Sequence, residues 1–141
     1  MILVDTAPLV ALCDPTDGLH ATAARDLHRL RRMPLVVCAP VLTETCFHLV
    51  RAVQRQRLRR LLTEFSVVPY ASDREVELWL AVLDWLARYA EHEPDFADGY
   101  LAVVSGIERR SKVWTYDSEF RTTWRRTDGA EPVNANETVG S

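Results

Sequence analysis

The feature that most constrains this chain is a rhythm in which short apolar runs recur between longer helix-like stretches. The runs are "ILV" at 2–4, "PLVVCA" at 34–39, "FSVVPY" at 65–70 and "KVWTYD" at 112–117. Short apolar strands that alternate with helices indicate a mainly parallel sheet, with helices covering it. The intervening segments supply the helices. "TAPLVALC" begins one near Thr6, with Pro8 tolerated in its first turn. Residues 19–32 give a second, Pro40 starts a third that runs to about Gln54, and a short basic helix covers 57–64. Ser72-Asp73-Arg74-Glu75 has the form of a capping box and opens a long helix reaching toward Tyr89. The apolar side expected for that helix is Val76, Leu80, Leu83 and Leu86-Ala87. Asp95 caps a helix over 96–110, a short helix follows at 118–126, and the Asp128-Gly129 turn leads to an edge strand near 131–133.

At 141 residues the chain has room for one domain with a sizeable core. The expected division is a domain over 1–133 and a frayed polar tail over 134–141. Hydrophobic residues make up 48% and charged residues 26%, which excludes a disordered chain. No apolar run is long enough for a membrane span, and the first residues enter a strand without a basic leader, so a cytoplasmic protein is expected. Cys13, Cys38 and Cys46 form no CxxC pair and read as reduced core thiols. The formal charge of −3 offers no global attraction for nucleic acid. Charge is nevertheless unevenly spread. Residues 51–60 carry five arginines and no acid, while 91–98 carry four acids and no lysine or arginine.

Four acids stand at the start of something. Asp5 ends the first strand, Glu44 follows the second, Asp98 lies in the first turn after the acidic loop, and Asp117 ends the fourth strand. In an open parallel sheet, strand carboxyl ends and the helix starts after them share one edge, where ligands bind. Carboxylates gathered there repel one another unless a cation neutralises them, and hard oxygen donors suit Mg²⁺ or Mn²⁺. The plainer reading also stands: Asp5 and Asp117 could be N-caps, and Asp95 with Asp98 a helix-start pattern. Glu44 shares a helix face with His48, Arg51 and Arg55, opposite a stripe of Leu42, Cys46, Leu49, Val50 and Val53. A solvated face would look the same.

The motifs around these acids resemble those of PIN-domain ribonucleases, in particular the VapC-like toxins of type II toxin–antitoxin pairs. "LVDTAPLVAL" is similar to the family's first motif and "PVLTETCFHL" to its second, with Glu44 as the acid. "DFADGYLAVV" resembles the third, with Asp98 as principal ligand and Asp95 as its companion. "VWTYDSEF" resembles the fourth, through Thr115, Asp117 and Phe120. Gly99 stands where alanine is common, a change expected to loosen that helix start without removing a ligand, and Tyr116 replaces a usual phenylalanine or similar apolar residue. The likeness spans residues 1–133. It implies a three-layer sandwich with a central, mainly parallel sheet, and a metal-dependent endoribonuclease inhibiting growth by cutting RNA. It also implies a homodimer, and a small antitoxin whose C-terminal segment enters the active-site groove, often with an arginine near the acids.

On that reading Asp5 and Asp98 ligate the main Mg²⁺ or Mn²⁺ ion, with Asp117 completing its shell directly or through water. Glu44 places a water or holds a second ion. Thr6, Asp95 and Thr115 are candidates to orient carboxylates or waters, although local backbone bonding would explain the threonines equally. Arg51, Arg55, Arg59 and Arg121 are candidates to hold RNA phosphates. Trp79, Trp85 and Trp124 read as core or interface residues. The alternatives are a free-standing RNA-processing nuclease, a hydrolase of DNA or phosphomonoesters, and a catalytically silent RNA- or protein-binding domain.

Overall fold

The computed structural model describes residues 1–135; residues 136–141 of the expected tail lie outside the described residues. Its centre is a four-stranded sheet in the order β3-β2-β1-β4, every pairing parallel. β1 (Ile2–Val4) pairs with β2 (Leu35–Val37) on one side and with β4 (Lys112–Trp114) on the other. Its three side chains are almost wholly buried, each burial contributing about 1.5–3 kcal/mol in favour of folding. β3 (Val68–Pro69) forms one edge, where a proline is tolerated because no outer strand needs its missing N–H. β4 is covered on its outer side: Val113 N–H donates to Val133 O at 2.7 Å, and Val113 makes a single parallel bridge with Asn134. That bridge replaces the edge strand expected at 131–133, and Asn134 and Ala135 are buried rather than frayed.

Seven α-helices flank the sheet among the described residues: α1 (Thr6–Cys13), α2 (His20–Leu30), α3 (Ala39–His48), α4 (Ala52–Glu64), α5 (Glu75–Arg88), α6 (Phe96–Ile107) and α7 (Glu119–Thr122). None is long and apolar enough to cross a membrane. Cys13 and Cys38 are buried free thiols and Cys46 is a half-buried one.

Three local expectations change. The helix expected from Pro40 to Gln54 ends at His48, because Leu49 turns into the core and the Arg55 guanidinium caps the helix end. It donates to Leu49 O at 2.7 Å and to Cys46 O at 3.0 Å. Val50 and Val53 are therefore exposed instead of extending an apolar stripe. The expected capping box at 72–75 does not form. Ser72 Oγ accepts from Arg74 N–H at 3.1 Å, and α5 starts at Glu75 without a side-chain cap. The core face of α5 is Leu78, Val82 and Trp85, while Val76, Leu80 and Leu83 point to solvent.

Candidate active site

The strand order reverses at β1: the chain moves to β2 and β3 on one side, then crosses to β4 on the other. Ligands of parallel sheets bind at the carboxyl edge of such a reversal. The ends of β1 and β4 bring Asp5 and the 115–117 segment together there. Asp5 is both the N-cap of α1 and a wall of a cleft of about 310 Å³. The cleft is lined by six carboxylates: Asp5, Asp17, Glu44, Asp95, Asp98 and Asp117. All four acids singled out in the sequence are among them, with Thr6, Asp95 and His48 beside them.

Hydrogen bonds hold the buried end of this cleft. Asp5 Oδ1 accepts from Thr6 N–H at 2.8 Å, and Oδ2 accepts from Thr115 Oγ1 at 2.7 Å. Thr115 Oγ1 in turn accepts from Asp117 N–H at 3.0 Å, so the strand end orders itself and the Asp5 carboxylate together. Thr6 Oγ1 donates to Glu44 Oε2 at 3.1 Å, tying α1 to α3. Glu44 Oε1 lies 3.9 Å from His48 Nε2. At the start of α6 the capping box is complete: Asp98 N–H donates to Asp95 Oδ1 at 2.8 Å, and Asp95 N–H donates to Asp98 Oδ2 at 3.2 Å. Asp117 Oδ1 accepts from Glu119 N–H at 2.9 Å, at the start of α7. Capping and cleft-lining are thus properties of the same side chains.

Crowding shifts their protonation. Burial pushes Asp98 up to about 8, and the charges of Asp95 and Asp5 act in the same direction. Burial raises Asp5 to about 6, against the opposing bonds from Thr115 and Thr6. Glu44 is also raised, by burial first and then by Asp95. The relief available to such a cluster is a proton or a cation. All six donors are hard carboxylate oxygens, which suits Mg²⁺ or Mn²⁺. Among the described residues no three carboxylate, imidazole or thiolate groups close into a cage around one ion. An ion that keeps several waters and takes one or two carboxylates directly needs no such cage.

Asp17 was not evident from the sequence. It sits in the "DPTDG" turn between α1 and α2, its Oδ1 accepting from Leu19 N–H at 2.8 Å, and nothing but the fold of that turn turns it to the cleft. None of the candidate arginines lines the acidic cleft. Arg51 lines a separate polar cleft with Arg57, beside the turn at 14–16. Arg55 is committed to the end of α3, and Arg59 and Arg121 are exposed on α4 and α7.

No curated protein matches this chain. Among solved structures, the chain is similar to Mycobacterium tuberculosis VapC20, described as a sarcin–ricin loop cleaving toxin. The TM-score is 0.68 at 25% identity, over 86% of this chain and 94% of that one. The model of the PIN domain matches residues 2–124, which take in β1 through α7 and every acid of the cleft. This chain therefore belongs to the PIN-domain family.

Proposed function

We propose that the protein is a divalent-metal-dependent endoribonuclease and the toxin of a toxin–antitoxin pair. One observation carries this reading: six carboxylates converge on the sheet's reversal point, two of them with protonation pushed far from the ordinary range. Such clustering works against stability and marks functional sites. Asp5 and Asp98 would hold the main Mg²⁺ or Mn²⁺ ion, with Asp117 completing its shell and Glu44 placing a water or a second ion. When bound, such an ion lowers the pKa of a water and draws negative charge from phosphate oxygens.

The chain's own residues supply order. Thr115 and the Thr6 N–H fix both oxygens of Asp5, and the Thr6 hydroxyl fixes Glu44. These carboxylates are therefore already oriented before an anionic substrate arrives, which is the benefit of outer-sphere support. Arg51 and Arg57, which line one polar cleft together, are candidates to hold RNA phosphates.

The likeness to VapC20 favours a toxin over a free-standing processing enzyme, and makes the sarcin–ricin loop the first defined substrate to test. On this reading an antitoxin covers the cleft with a cationic segment. A homodimer would bury the exposed Val76, Leu80 and Leu83 of α5. The decisive experiment incubates purified, antitoxin-free protein with total RNA in Mn²⁺ or Mg²⁺. Discrete products should appear, and should vanish with a chelator or in Asp98→Asn. Identical patterns from wild type and a folded Asp98→Asn would end the case for this cleft and leave a binding-only domain as the better reading.

A further inference from the structure

A second hollow, of about 770 Å³, adjoins the acidic cleft and shares Glu44, His48 and Asp95 with it. It continues past Phe47 of α3, Trp79 of α5, and Phe96 and Tyr100 of α6. Its walls are aromatic and its charged groups are carboxylates; among the described residues that line it there is no arginine or lysine. One wall is held in place. Glu75 Oε1 accepts from Trp79 Nε1 at 2.9 Å and from the Tyr100 hydroxyl at 2.7 Å, so the indole is anchored although Trp79 is 47% exposed. On the α3 side, Phe47 is 78% exposed and meets the His48 ring edge-on at 5.8 Å. Large aromatic side chains left in water around one concavity mark a binding surface.

The chemistry of the walls selects the occupant. A phosphate here would face Glu44, Glu75 and Asp95 with no arginine or lysine among the described lining residues to offset them. A second copy packed groove against groove would set Glu44, Glu75 and Asp95 against another set of carboxylates. A nucleobase, by contrast, is neutral, offers a π-face to an aromatic ring, and offers N–H donors to a carboxylate. Glu75 spends Oε1 on both of its bonds, which leaves Oε2 as an acceptor. Continuity with the acidic cleft sets a base in this groove next to the phosphate being cut. Resting on the reading of that cleft as an RNA-cleaving site, we propose that the groove is a base-binding subsite. It takes an unpaired nucleobase flanking the scissile phosphate, stacked on Trp79 with its N–H edge toward Glu75. Trp79 thus parts company with Trp85 and Trp124, which are buried as expected of core residues.

The test begins by mapping the cut that wild type makes in total RNA with Mn²⁺, then uses an oligonucleotide spanning it. A wild type that cuts no RNA overturns the endoribonuclease reading and this subsite with it. With a cutting wild type, Trp79→Ala is expected to raise KM roughly tenfold or more with little change in kcat, and Trp79→Phe to recover most of the loss. An abasic ribose at one position beside the cut should weaken wild type to a similar degree and have no further effect on Trp79→Ala. Unchanged KM in a Trp79→Ala protein with a normal thermal melt overturns the subsite alone. A KM effect indifferent to which base is removed, together with conversion of a dimer to a monomer in sedimentation, overturns it in favour of a second copy in the groove. Should Trp79→Ala fail to fold, Phe47→Ala carries the same comparison from a side chain largely in solvent.

Discussion

Asp98 closes the capping box of α6 with one oxygen while its carboxylate stands among five others. The helix gains from an acid in its first turn, whereas burial and the neighbouring Asp95 and Asp5 oppose its charge. Its replacement should therefore separate function from stability. Asp98→Asn is expected to reduce RNA cleavage by about 100-fold or more, beyond the usual loss of an outer-sphere partner. The same change should raise the melting temperature of the metal-free protein at pH 8, measured by calorimetry with chelator present. Thr115 gives the opposite case. Thr115→Val removes the hydroxyl that donates to the buried Asp5 carboxylate at 2.7 Å. A loss of about 1–3 kcal/mol is expected in urea unfolding, larger at pH 8 than at pH 5 because the bond serves the charged form. Tyr116 also finds its reason at this scale. Its hydroxyl donates to the buried Asp26 of α2 at 2.6 Å and accepts from Trp114 Nε1 at 3.0 Å, a tie that phenylalanine could not make.

Among the elements, α6 carries the site and α5 sets how close it can lie. Gly99 sits where α6 crosses α5, and a Cβ there would come within 3.0 Å of Trp85 Cε3, 3.1 Å of Val82 Cγ1 and 3.2 Å of Leu86 Cδ2. Trp85 cannot retreat, since it is fully buried and its Nε1 is bonded to Arg125 O. Alanine would bring roughly 1 kcal/mol of helix propensity but about 1–3 kcal/mol of overpacking. Gly99→Ala should thus destabilise the protein by about 1 kcal/mol in urea titration; a gain in stability would show that the two helices part easily. The glycine is a matter of close packing rather than of a loose helix start. α5 also shows how an apolar pattern misleads. Val76, Leu80 and Leu83 make as good a stripe by spacing as Leu78, Val82 and Trp85, and only the docking of α6 decides which of the two is buried.

For the whole molecule, the carboxylate cluster sets a pH dependence. Asp98 and Asp5 take protons more readily when folded, near 8 and 6, than unfolded, near 3.8. Between these values the folded state binds the extra protons, so their contribution to stability is complete below about pH 4 and declines as pH rises through 6 and 8. Melting of the metal-free protein between pH 5 and 8 should show this fall. Adding Mn²⁺ at pH 8 should reverse it, and Asp98→Asn should flatten it; a melt indifferent to both pH and ion would contradict the cluster's electrostatics. The outer face of α5 makes a separate prediction. If Val76, Leu80 and Leu83 form a self-association surface, Leu80→Arg should yield a monomer by sedimentation while leaving the acidic cleft's activity per site largely intact.

Much of this protein was legible in its sequence because the signals are local. Apolar runs at 2–4, 34–39 and 112–117 had to be buried strands, and an acid at each strand end or helix start had a short-range reason to be there. The same placement brought Asp5, Glu44, Asp98 and Asp117 to one edge of a parallel sheet, since that topology aligns the carboxyl ends of its strands. What the sequence could not decide depends on partners distant along the chain. The end of α3 at His48 follows from Leu49 entering the core and Arg55 reaching back to cap it. The addition of Asp17 to the cleft follows from the fold of a turn. The anchoring of the exposed Trp79 follows from Glu75 bonding both it and Tyr100, 25 residues away from that glutamate. Periodicity tells which residues share a face. Which face meets the core is settled by packing, and packing is a property of the assembled chain.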